Sequence, residues 1–338
     1  MATDTATTSP HQDERLVSTG PLKRVLMRPD IGAFLGAVAV YFVFGYFARD
    51  VGWLSDPAIA AGWTDQAAQY GIVAVPVALL MIGSSGLLLG YLVTHAHMNI
   101  WPAIVIVLLF GLAVGFANGI TVAKTKLPSF IVTLATFFVL QGVNAAGTLK
   151  LTGTTAIDDI DSASGFASAR RVFADDLTRW DFKAKVVWWI GLTLVGAWLL
   201  AKSRFGNWIY SAGGEPNAAR NIGVPVARTK VALFMMTSAT AALMGIIEAL
   251  ELRSMQSKEG IGLEFIFIIC AVVGGCLLTG GYGSVIGTFF GAAMLGMVQL
   301  GIVDAQWDSN WTYTFQGAIL FAAVLLNLFV RNRAQRVT

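Results

Sequence analysis

Charge is scarce in this sequence. Asp, Glu, Lys and Arg make up 13% of its 338 residues, against roughly 25% in ordinary soluble proteins. Hydrophobic residues supply 56% and come as long runs separated by short polar breaks, which excludes a soluble globular domain and places most of the chain in a lipid bilayer. The same composition excludes intrinsic disorder and collagen-like structure. The net charge is only +3, with the basic residues gathered at the two ends and in one central stretch, so nucleic-acid binding has no support. Cysteine is nearly absent: Cys270 and Cys276 lie in one apolar run and read as small buried hydrophobes rather than a disulfide or metal pair.

Catalytic signatures are lacking as well. There is no Gly-Lys-Ser/Thr phosphate loop and no His-Glu-x-x-His zinc motif, and the Gly-rich stretch Gly281–Gly287 has the wrong spacing for a dinucleotide fold and follows an apolar run rather than a strand. His95 and His97 stand near a span end, where histidines serve as interfacial side chains more often than as metal ligands. No catalytic residue, metal or cofactor is expected of this chain. The first six crossings contain no mid-span charge, whereas an ion-driven carrier places its coupling site there. A pore-forming subunit energised by another polypeptide fits better; an ion-coupled secondary transporter of a small polar solute is the alternative. Glu248 and Glu251 near the end of one run and Glu264 at the start of the next are expected to snorkel or to pair with Arg253 and Lys258.

Nine apolar runs are evident: Ile31–Ala48, 70–94, 100–122, 127–149, 184–201, 231–252, 264–280, 284–303 and 313–330. An odd number would put the ends on opposite sides, yet Lys23, Arg24 and Arg28 precede the first run and Arg331, Arg333 and Arg336 follow the last, so both ends belong in the cytoplasm. A tenth crossing must be hidden before residue 100. Spans of about 60–81 and 84–98, broken at Gly83-Ser-Ser-Gly86, restore the parity. The expectation is an all-α membrane protein of about ten helices: a disordered cytoplasmic tail over 1–30, a transmembrane domain over 31–330 and a cytoplasmic tail over 331–338. Lys124, Lys126 and the stretch 202–230 then face the cytoplasm, and residues 150–183, with six Asp and five Lys or Arg, form the largest external loop.

The 36 glycines suit close helix packing in lipid. Gly32/Gly36, Gly86/Gly90, Gly111/Gly115/Gly119 and Gly287/Gly291 recur at four-residue spacing and mark packing faces. Gly83–Gly86 and the turn Thr279–Gly283 take comparable places between spans, which is compatible with an internal duplication. The most informative segment is cytoplasmic, Phe205–Val224. Gly213-Gly-Glu-Pro-Asn-Ala-Ala-Arg220 places Pro216 at the first helical position, and Gly223 offers a left-handed stop. About seven residues at 1.5 Å rise make roughly 10 Å of helix, too short to cross a bilayer but suited to docking a partner through its small residues Ala218 and Ala219.

The chain resembles the permease subunits of bacterial ATP-binding-cassette importers for monosaccharides, of the ribose/xylose type. The resemblance rests on Asn118-Gly119 followed by Leu127–Leu134, on Gly213–Arg220 with Ile222-Gly223, and on Gly262-Leu-Glu264, Val273-Gly-Gly275 and Gly280–Thr288, in that order over about residues 30–330. It departs from the family where Gly86 stands for an acidic residue and Gln141 for an arginine. The resemblance implies a paired permease, most simply a homodimer, joined to a cytoplasmic ATPase that binds ATP and magnesium and fed by a periplasmic sugar-binding protein. Gly213, Gly214, Glu215, Pro216, Asn217, Ala218, Ala219, Arg220 and Gly223 would couple to that ATPase. Sugars need hydrogen bonds, so Asn118, Thr133, Gln141 and Asn144, with Glu264 beside them, are the candidates for the substrate path.

Overall fold

The computed structural model describes residues 29–74, 81–125, 127–177, 181–277 and 280–335. Lys23, Arg24, Arg28, Lys126, Thr279 and Arg336 lie outside them. The described residues form thirteen α-helices: α1 Pro29–Phe47, α2 Pro57–Ala74, α3 Met81–Thr94, α4 Ile100–Thr125, α5 Ser129–Thr152, α6 Phe166–Phe173, α7 Ala184–Lys202, α8 Arg204–Gly214, α9 Pro216–Asn221, α10 Val226–Leu252, α11 Leu263–Val273, α12 Val285–Asp304 and α13 Trp311–Gln335. The first helix already begins at Pro29, inside the expected tail, and α13 continues to Gln335, where the second tail was expected. Two-residue strands, β1 Ala156–Ile157 and β2 Met255–Gln256, pair antiparallel, so the chain is not wholly helical.

Crossing about 30 Å of hydrocarbon takes some 20 residues of helix. Among the described residues six helices are long and apolar enough: Asp30–Phe47, Ile100–Thr125, Ser129–Thr152, Ala184–Lys202, Val226–Leu252 and Val285–Asp304. The apolar helices Met81–Thr94, Leu263–Val273 and Trp311–Leu325 are shorter. The run expected over 264–280 is helical only as far as Val273.

The expected break at Gly83–Gly86 is a correction: all four residues lie inside α3 and are buried. The glycines serve packing. A Cβ at Gly83 would run into the Glu259 carbonyl, one at Gly86 into Met255, and one at Gly245 of α10 into the Ile82 carbonyl. Residues 75–80, between Ala74 and Met81, lie outside the described residues. Gln69 of α2 donates to Glu248 at 3.3 Å, within one turn of the Gly245–Ile82 contact, so α2 and α3 both meet α10 near the same level.

Two helices organise the rest. Against α10 lies α4, running antiparallel: Gly111 meets Ala242 and Ser238, Gly115 meets Phe234 and Met235, and Gly119 meets Val231. Around α12, 72% of whose apolar window is buried, Gly287 and Gly291 receive the Gly274 and Cys270 carbonyls of the α11 end, Gly296 receives Trp63 and Ala67 of α2, and Gly301 receives the Phe44 ring of α1. Close backbone approach multiplies dispersion contacts, the main source of helix association where lipid removes the hydrophobic drive. Asp30 lies near Gly287, Met294 on Gly36 and Phe44 on Gly301. Helices α1 and α12 are therefore parallel, and their first residues share one end of the molecule.

Candidate functional site

At that end the chain leaving α7 turns sharply. Ser203 caps α8, its Oγ accepting from Gly206 N at 3.0 Å, and a Cβ at Gly206 would stand 2.6 Å from the Leu199 carbonyl. Glu215 is extended and Pro216 opens α9, whose missing N–H costs nothing in a first turn. The helix stops after six residues. Gly223 takes φ +87° and donates to the Arg220 carbonyl at 3.0 Å, while Val224 N reaches the Ala219 carbonyl at 3.0 Å, so orphan carbonyls are satisfied within the turn.

This geometry sorts the candidates. Ala219 is buried with Ala212 and Val226 in a small cluster of the chain's own, so it holds α9 in place and is not available to a partner. Glu215, Asn217, Ala218, Arg220 and Asn221 are exposed. Ile222, which sequence reasoning passed over, is 77% exposed and the most solvent-open large apolar side chain of this segment. Gly213 and Gly214 meet the Gly280-Gly281 backbone: a Cβ at Gly213 would stand 2.7 Å from Gly281 N, one at Gly280 2.6 Å from the Gly213 carbonyl, and one at Gly281 2.6 Å from Gly214 Cα. Tyr210 Oη donates to the Gly283 carbonyl at 2.9 Å. Burial pushes the Tyr210 and Tyr282 hydroxyls up from their ordinary pKa.

The candidate path residues sit in different surroundings. Thr136 donates to Asn118 Oδ1 and so ties α5 to α4; Thr133 donates to the Ser129 and Phe130 carbonyls of its own helix at 3.0 and 3.1 Å. Gln141 is half-buried. Asn144 is buried at the α3 interface, 3.8 Å from where a Gly83 Cβ would be, and its Nδ2 has no partner among the described residues. Glu264 accepts from Gly262 N at 2.7 Å across its own turn.

The three glutamates also differ from the expected pairing. Glu251 is bound by Lys183 and Lys185 at the start of α7, with 2.9 Å from Lys185, and Asp65 of α2 lies 2.8 Å from Lys185 and 3.4 Å from Lys183. Arg253 pairs instead with Asp161 at 3.5 Å. Burial alone would lower the Lys183 pKa, but Glu251 and then Asp65 outweigh it and raise it. His95 stacks on Tyr91 with centroids 5.4 Å apart and shares a 2.8 Å hydrogen bond with Thr94. His97 takes φ +50° in the turn before α4. Cys270 and Cys276 are free.

A bundle of apolar helices with a glycine-packed interior defines a polytopic membrane protein. Residues 59–324 match the family described as "Branched-chain amino acid transport system / permease component". The chain belongs to this permease family. It is 31% identical over 256 residues to the autoinducer 2 import system permease protein LsrC of Escherichia coli O9:H4, covering 75% of this chain and 71% of the relative. It is 30% identical over 307 residues to the inner membrane ABC transporter permease protein YjfF of Escherichia coli K12, covering 84% and 88%. To the ribose import permease protein RbsC of the same strain it is 31% identical over 235 residues, covering 68% and 70%. No solved structure matches the chain.

Proposed function

We propose that this chain is the membrane-spanning subunit of an ATP-driven importer in the inner membrane, carrying a monosaccharide or related polyol handed over by a periplasmic binding protein. It performs no catalysis; a separate cytoplasmic ATPase binds ATP and magnesium. In this reading ten apolar segments cross the bilayer, both ends are cytoplasmic, and residues 150–183 are periplasmic. The observation that carries the coupling is α9, a six-residue helix held out by its own small core with Asn217, Ala218, Arg220 and Ile222 exposed. An exposed isoleucine beside Arg220 and Asn221 suits a protein groove, which would cover it.

A second copy of the chain completes the path. Supporting this, α5 carries Thr133, Gln141 and Asn144 and yet leaves Phe130, Ile131, Phe138, Val139 and Val143 exposed, a face open to lipid or to a partner helix. Asn118, Thr133, Gln141, Asn144 and Glu264 would offer hydrogen bonds along it, and cargo choice would rest mainly with the binding protein. The test is Ala218→Glu and Ile222→Asp in the full chain. The ATPase is expected to stop co-purifying, with the permease still inserted and paired. Undiminished co-purification and uptake would overturn the reading. So would uptake that survives deletion of the ATPase and collapses with the proton gradient, the mark of an ion-driven carrier.

A further inference from the structure

The docking surface is useful only if its displacement reaches the membrane helices. We propose that the main-chain seam between Gly213-Gly214 and Gly280-Gly281 is the lever that carries it into α12, with Tyr210 as the positioning residue; this deepens the docking reading above and rests on it. Across the seam two backbones meet with no side chain between them, at separations of 2.6 to 2.7 Å from where Cβ atoms would be. Gly280 and Gly281 hold φ +85° and +76°, a conformation that an L side chain resists. A contact of side chains can absorb a shift by changing rotamers. A contact of backbones cannot, so movement of the α8 end must move the turn.

The seam has an input, an output and room. Its input is immediate, since Gly214 is followed by Glu215 and α9. Its output is α12: beyond the turn, Ser284 caps that helix by accepting from Gly287 N at 3.3 Å, and α12 grips α11, α2 and α1 through Gly287, Gly291, Gly296 and Gly301. Behind the seam lies a cavity of about 310 Å³ bordered by Leu200, Tyr210, Thr229, Leu233, Cys276 and Thr288. Ten or so water volumes of space leave the seam free to swing without compressing a packed core. The hydrogen bond from Tyr210 to Gly283 joins two residues of that cavity's lining and so ties α8 to the turn before α12.

Cys276 lines the cavity, and its thiol reports the seam's position without any cargo being known. In the assembled permease–ATPase complex with Cys270→Ala, the rate of Cys276 modification by N-ethylmaleimide is measured with and without a non-hydrolysable ATP analogue. The nucleotide is expected to change the rate at least about fivefold, the factor worth one neutral hydrogen bond. Tyr210→Phe should leave the nucleotide-free rate and ATPase co-purification unchanged but cut the response below about twofold. Gly281→Ala should do the same where it folds. An undiminished response in Tyr210→Phe would overturn the proposal, as would loss of the ATPase from that variant, since the seam would then only shape the dock. Ala218→Glu serves as the separate arm: if it keeps the ATPase, the docking reading fails and the lever with it; if it loses the ATPase while Tyr210→Phe keeps the full response, the docking reading stands and the lever alone fails.

Discussion

The partners of Glu251 separate two kinds of ion pair by magnitude. Lys185 has a side chain only 5% exposed and bridges Asp65 and Glu251. Removing one member of such a buried set strands the others' charge at a cost of about 3 kcal/mol. Arg253 and Asp161 are 51% and 41% exposed, and such surface pairs contribute well under 1 kcal/mol. Lys185→Met is therefore expected to lower the midpoint of thermal unfolding in detergent by several degrees, and Arg253→Gln to leave it within about a degree. Equal shifts would contradict the assignment. The sequence could not show this network, because its members come from three helices and the ion-paired residues lie 66 (Lys185 to Glu251) to 120 (Asp65 to Lys185) positions apart. Proximity along the chain favoured Arg253 and Lys258, but the helix geometry turns Glu251 toward α2 and α7.

Among elements, the glycines divide by what faces them. A Cβ at Gly115 would stand 2.5 Å from the Phe234 carbonyl and 2.7 Å from Met235 Cα, whereas Gly191 of α7 has nothing within 4 Å. Backbone cannot yield as a flexible side chain can, so Gly115→Val is expected to force α4 and α10 apart and reduce the folded permease recovered in detergent severalfold. Gly191→Ala should be neutral or stabilising by up to about 1 kcal/mol, since alanine is the better helix former. Size-exclusion yield and thermal melting distinguish the two. Four-residue glycine spacing was legible as a packing face, and the stop at Gly223 was legible because proline before it and glycine after it bracket so short a helix. The burial of Ala219 was not, for it depends on Ala212 and Val226 folding back on either side. Gly83–Gly86 looked like a break because glycine weakens helices in water; in α3 the same residues admit the Glu259 carbonyl and Met255.

For the whole molecule, sidedness follows from contacts rather than from charge counting alone. Parallel α1 and α12 put Asp30 and Gly287 at one end, and Tyr210 reaches Gly283 there, so the start of α1 and the segment carrying α9 share a face. The opposite end of α10 bears Met255, which pairs with Ile157, and the Arg253 carbonyl, which receives Ile160 N. The described part of the 150–183 segment that carries Ile157 and Ile160 therefore sits on the other face. Ser164 is exposed on it, and Thr125 and Ala218 are exposed at helix ends that α4 and α9 turn the other way. Single cysteines at Ser164, Thr125 and Ala218, in a background with Cys270→Ala and Cys276→Ser, are expected to divide accordingly in intact spheroplasts. An impermeant thiol reagent should label Ser164→Cys at once, and Thr125→Cys and Ala218→Cys only after lysis. Labelling of Ala218→Cys from outside would place the docking surface beyond reach of any cytoplasmic ATPase, because no rearrangement of side chains moves a helix end through about 30 Å of hydrocarbon.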